Sequence, residues 1–76
     1  MIIKITLIGS LCKYFQGEKN GSIELPTDAA AEDILNHLGI PTEYCSFMMV
    51  KGQKVPRTYL LEDGDEVVVF PLVSGG

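Results

Sequence analysis

Few groups in this chain could do chemistry, and they sit in unpromising places for an enzyme. The sequence closes on Val73-Ser74-Gly75-Gly76. Glycine has no Cβ and reaches backbone angles closed to other residues, so Gly75-Gly76 makes a thin, pliable thread. Such a thread enters a channel that rejects any side chain, and it presents the α-carboxylate of Gly76 to a partner's chemistry. That carboxylate is the candidate reactive group, with a frayed, functionless tail as the plain alternative. Cys12 and Cys45 form no CxxC pair, and neither lies beside a pair of basic groups that would activate a thiolate. They read as small hydrophobes, and two thiols cannot supply the four of an iron–sulfur cluster. His37 has no second ligand or orienting partner close in sequence and reads as an exposed or rim histidine. Glu62, Asp63 and Asp65 surround Gly64 without the spacing of a calcium loop, so they read as turn residues and no metal site is expected.

Composition narrows the function classes further. A chain of 76 residues forms one domain, 1–76, with little room for a deep pocket. At 46% apolar residues it has the means to fold alone. No run approaches the ~18 apolar residues of a membrane span, so no membrane partner is expected. The start, Met1-Ile2-Ile3-Lys4-Ile5, lacks the features of a signal peptide, which sets the expectation of a cytoplasmic protein. A net charge of −4 opposes nucleic-acid binding, which needs a stripe of Lys and Arg. Lys51, Lys54 and Arg57 read instead as a solvated hairpin.

These groups must be positioned by a small set of elements. Ile3, Ile5 and Leu7 alternate with Lys4 and Thr6, which predicts a half-buried strand over 2–8. Leu11, Tyr14 and Phe15 suit one helical turn or a wide loop. Asn20-Gly21 reads as a turn before a brief strand over 22–25, stopped by Pro26. Thr27 or Asp28 is the expected cap of a helix whose stripe is Ala31, Ile34, Leu35 and Leu38, ended by Gly39-Ile40-Pro41. The apolar run Ser46–Val50 predicts a third strand whose two methionines fill core gaps. A hairpin at Lys51–Lys54 leads to an edge strand around Val55-Pro56. The Asp63-Gly64-Asp65 turn precedes a last strand over 66–70, dense enough in β-branched and aromatic residues to be buried on both faces. The order ββαβββ, one helix against one mixed sheet, is α+β.

Strand alternation then sorts the faces. Val67 and Val69 should pack on the helix with Ile3, Ile5 and Leu7, leaving Ile8, Val68 and Phe70 as an apolar patch on the far face. A contiguous exposed patch marks a partner surface. Beyond Phe70 the tail could extend about 20 Å at ~3.3 Å per residue, so docking patch and probe would be adjacent.

Residues 63–76 read DGDEVVVFPLVSGG, and this ending resembles that of the MoaD/ThiS family of ubiquitin-like β-grasp sulfur carriers, above all its molybdopterin synthase branch. Leu72 departs from the pattern, where the family commonly has a second proline. Leu38-Gly39-Ile40-Pro41 and Val50-Lys51-Gly52 also fall where the family has similar features. The resemblance implies that an E1-like adenylating enzyme uses ATP to activate Gly76, that a sulfur donor converts it to a thiocarboxylate, and that the large subunit of molybdopterin synthase receives the tail. Gly75 would permit threading, Phe70, Pro71 and Val73 would hold docking and exit geometry, and residues 72–76 would form the flexible tail. Catalytic side chains would belong to the partners, with no cofactor bound by this chain. A carrier for thiamine thiazole synthesis, a protein modifier conjugated through Gly76 and a non-catalytic β-grasp binding domain are the alternatives.

Overall fold

The computed structural model describes residues 1–72. Five strands, β1 (Ile2–Leu7), β2 (Asn20–Glu24), β3 (Cys45–Val50), β4 (Gln53–Val55) and β5 (Glu66–Pro71), form one mixed sheet in the order β2-β1-β5-β3-β4. β1 and β5 run parallel, and the other neighbours are antiparallel. The α-helix α1 (Glu32–Leu38) covers one face, and 3-10 helices span Gly9–Phe15 and Thr42–Tyr44. The expected ββαβββ order is therefore present.

The inner face is the core. Ile3, Ile5 and Leu7 of β1, Val67 and Val69 of β5 and Met48 and Val50 of β3 are all buried against Ile34 and Leu35 of the helix. A helix of seven residues is far too short to persist alone, so this packing holds it. Its C-terminus closes as expected: Gly39 is left-handed at φ +75°, and the Ile40 N–H donates to Leu35 O at 2.9 Å.

Its start differs from expectation. Neither Thr27 nor Asp28 caps it, because the helix begins at Glu32 with no side-chain cap on the preceding residue. A remote segment serves instead. The Ala31 N–H donates to Tyr59 O at 2.8 Å and the Glu32 N–H to Arg57 O at 3.0 Å, so crossing chain satisfies donors that a helix start leaves open.

Asn20-Gly21 also lies inside β2 rather than in a turn. The chain reverses earlier, at Gln16 and Gly17, both with positive φ. Gly21 faces Ile5 in the register, and a Cβ there would overlap the Phe15 ring. The glycine leaves room for an aromatic ring, and the Asn-Gly pair mimics a turn signal. Asp65 serves the turn predicted for it, its Oδ2 accepting the Glu62 N–H at 2.8 Å, while Asp63 ties the turn to the start of β1, its Oδ1 accepting the Ile2 N–H at 2.7 Å.

Candidate functional site: the outer sheet face and the root of the tail

The outer face of the sheet divides in two. Toward the start of β5 it is polar, with Lys4 opposite Glu66 and Ser22 beyond them on β2. Toward its end it is apolar. Val68 and Phe70 point away from the core and are half-buried, as is Ile8, whose N–H donates to Val69 O at 3.1 Å just past β1. The predicted residues Ile8, Val68 and Phe70 thus lie on the expected side. β5 is not buried on both faces: its inner residues are sealed, and its outer ones are only partly covered by side chains of β3.

Those β3 side chains are the part that sequence reasoning missed. The Phe47 ring stacks on Phe70 with centroids 4.4 Å apart and planes 13° from parallel, and Met49 pairs with Val68. Only Met48 is the core gap-filler expected of both methionines, since Met49 faces outward and is half-buried. Alternation counted back from buried Val50 would have separated them. Lys54 brings a cation to the patch, its Nζ 5.1 Å from the Phe47 ring centroid. Lys51 instead turns to acids, 3.2 Å from Glu62 Oε1 and 3.8 Å from Asp65 Oδ1, and the hydrogen bond to Glu62 holds its ammonium pKa above the ordinary value.

At the end of β5 the pairing with β3 is irregular. Phe47 faces Phe70, yet Cys45 faces Pro71, so Ser46 is an extra residue in a bulge. The bulge turns Cys45 into the core while Phe47 keeps the outer face. Burial raises the Cys45 thiol pKa, opposed in part by the Arg57 guanidinium, so this thiol is a poor nucleophile near neutrality. Cys12 is half-buried, and its thiol lies 3.3 Å from Leu7 O. His37 is exposed on the helix. Among the described residues, no group of His, Cys, Asp and Glu could hold a metal ion, and no helix is long and apolar enough to cross a membrane.

Pro71 ends the strand, close enough that a Cβ on Gly9 would lie 3.5 Å from its Cγ. Leu72 is 61% exposed, but its N–H donates to Tyr44 O at 2.8 Å, so the first residue of the predicted tail is tied to the body. Beside it runs an open groove of about 340 Å³ lined by Ser10, Leu11, Lys13, Tyr14, Tyr44 and Leu72. The assignments to Val73, Gly75 and Gly76 fall outside the described residues.

This arrangement offers an apolar platform leading to a chain end, with no constellation of acid, base and nucleophile on the platform itself. Among solved structures the chain is similar to SAMP1 from Haloferax volcanii, at 20% identity over 100% of each chain and a TM-score of 0.76. It is similar also to a putative molybdopterin converting factor subunit 1 from Pyrococcus furiosus, at 23% identity over 96% of this chain and 99% of that one, with a TM-score of 0.74. A third likeness is to a chain in the complex of subunits 1 and 2 of the molybdopterin-converting factor from Helicobacter pylori, at 18% identity over 100% of both chains and a TM-score of 0.65. At these identities the likeness is one of fold, and the fold is the ubiquitin-like β-grasp. No curated protein matches the chain significantly. The ThiS family matches residues 5–76, from within β1 through to Gly76, and the chain therefore belongs to the ThiS family.

Proposed function

We propose that this protein is a sulfur carrier acting in the cytoplasm, with Gly76 as its working residue. A carboxylate is a poor acyl donor. An E1-like enzyme adenylates it with ATP, pyrophosphate leaves, and a sulfur nucleophile from a donor displaces AMP to give a thiocarboxylate. The carried sulfur is then delivered in molybdopterin synthesis, to the large synthase subunit, where it builds the dithiolene of the molybdenum or tungsten cofactor. This chain's own part is to dock and to reach. Ile8, Val68, Phe70 and the added Phe47 and Met49 give a surface for the partner, Pro71 and Val73 set the exit, and Gly75 lets the end thread.

The observation that carries this reading is the family match running to Gly76, on a chain whose outward apolar residues cluster at the end of the strand leading there. The pterin branch draws support from the DGDEVVVFPLVSGG ending and from the two molybdopterin converting factor chains of the same fold. The test is an intact-mass measurement after incubation with ATP, a sulfur donor and an E1-like enzyme, followed by addition of the large subunit and its pterin substrate. Exchange of one oxygen for sulfur at Gly76, then its loss to the pterin, is the expected result. Isopeptide-linked conjugates would mark a protein modifier instead. Sulfur delivered only to a thiazole synthase would mark the thiamine branch, and an unchanged mass a binding domain without carrier chemistry.

A further inference from the structure

The root of the tail is held by an arrangement that neither the fold nor the docking patch requires. Leu72 donates its N–H to Tyr44 O at 2.8 Å, which extends the β3–β5 pairing past the Ser46 bulge. Tyr44 closes the short 3-10 helix Thr42–Tyr44, which has no side-chain cap of its own. A single turn of this kind is weakly held by its internal bonds. The Arg57 guanidinium supplies the missing hold: its Nη2 donates to Thr42 O at 2.8 Å and to Cys45 O at 3.1 Å, the two carbonyls that bracket Tyr44. Arg57 is anchored in turn, because its own carbonyl accepts the Glu32 N–H at the start of α1.

We infer that Arg57 is a positioning residue for the tail, fixing the Tyr44 carbonyl and through it the direction in which the chain leaves the sheet at Leu72. The exposed hairpin cation of the sequence is thereby a strut. A tail that must find a narrow channel loses less freedom on entry when its root already points the right way, so the strut speeds insertion without adding area to the docked surface. Leu72 makes this possible by having a donor. A proline at this position would fix the exit through its ring and could not take the bond to Tyr44.

The inference rests on the carrier reading only for its consequence, since the bond itself is measurable in the uncharged protein. Amide hydrogen exchange on Arg57→Ala should show the Leu72 N–H exchanging about fivefold faster, the size of one lost, partly solvated charged hydrogen bond, with Val67 and Val69 unchanged. Leu72 exchanging at the wild-type rate in that variant overturns the inference, whatever the protein does with sulfur. With thiocarboxylated protein, Arg57→Ala should lower the single-turnover rate of sulfur transfer several-fold at unchanged affinity for the large subunit. An equal loss in affinity and none in rate would overturn the positioning role. Leu72→Pro supplies the second arm, for it deletes the donor directly. In that background Arg57→Ala should have no further effect on transfer, and additive losses would show that Arg57 acts by another route.

Discussion

The two faces of the sheet are made from the same apolar residue types and behave in opposite ways. On the inner face Ile5, Val67, Val69 and Met48 lie against Ile34 and Leu35 with almost no exposure. On the outer face Val68, Phe70, Phe47 and Met49 cover one another, with the Lys54 ammonium over the Phe47 ring, and stay half open. Burial on the first face is complete within the chain and stabilises the fold. On the second it is incomplete, which is the surface the proposed carrier role would offer to a partner. Hydrophobicity alone does not separate the two roles, but the presence or absence of a covering element does.

The contrast can be broken most forcefully from the inside. Leu35→Ala should cost about 2–5 kcal/mol and lower the melting temperature by about 10–30 °C, followed by circular dichroism. A mild effect would mean that the inner face is loosely packed. Gly21→Ala forces a methyl group against Phe15 and should cost about 1–3 kcal/mol in urea unfolding, a penalty that shrinks in a Phe15→Leu background. On the outer face the expectation reverses: Phe70→Ala should weaken binding to the large synthase subunit about tenfold while costing about 1 kcal/mol or less in stability. Calorimetric titration and urea unfolding on the same sample would show whether the two readouts part company as argued. If stability falls as far as it does for Leu35→Ala, the outer patch is core after all.

The smallest effect is one of pH. Burial raises the folded-state thiol pKa of Cys45 above its ordinary 9.0, so the folded protein keeps a proton that the unfolded chain releases earlier. The associated stability is fully present below that ordinary value and is lost as pH climbs through the raised one. Wild-type denaturant midpoints should therefore fall as pH rises above about 9, by a margin that Cys45→Ala does not show.

What was legible in the sequence was what alternates. Period-two patterning placed Val67 and Val69 inward and Val68 and Phe70 outward, and the Gly39 stop was written in the residue itself. What was hidden depended on distant chain. The start of α1 leans on carbonyls of Arg57 and Tyr59, and locally only Asp33 marks it, its Oδ2 accepting the Ala30 N–H at 2.8 Å. Ser46 carries no composition signal for a bulge, yet it decides that Cys45 faces in. Phe47 and Met49 were hidden by lying in an apolar run with two possible faces, and Arg57 by looking like any exposed cation. Asn20-Gly21 misled because a glycine needed for Phe15 looks the same as one needed for a turn.

β5 lies at the centre of the sheet, between β1 and β3, although it is the last strand in the chain. Without it the molecule is two unconnected hairpins, β1–β2 and β3–β4, with no ladder between them. A nascent chain gains its sheet only when the final strand has emerged and closed against the first, a pairing of long sequence separation that is slow to form. Order of synthesis thereby matters: a product that stops short of β5 lacks the one strand that joins the two hairpins and carries Val68 and Phe70 of the outer patch.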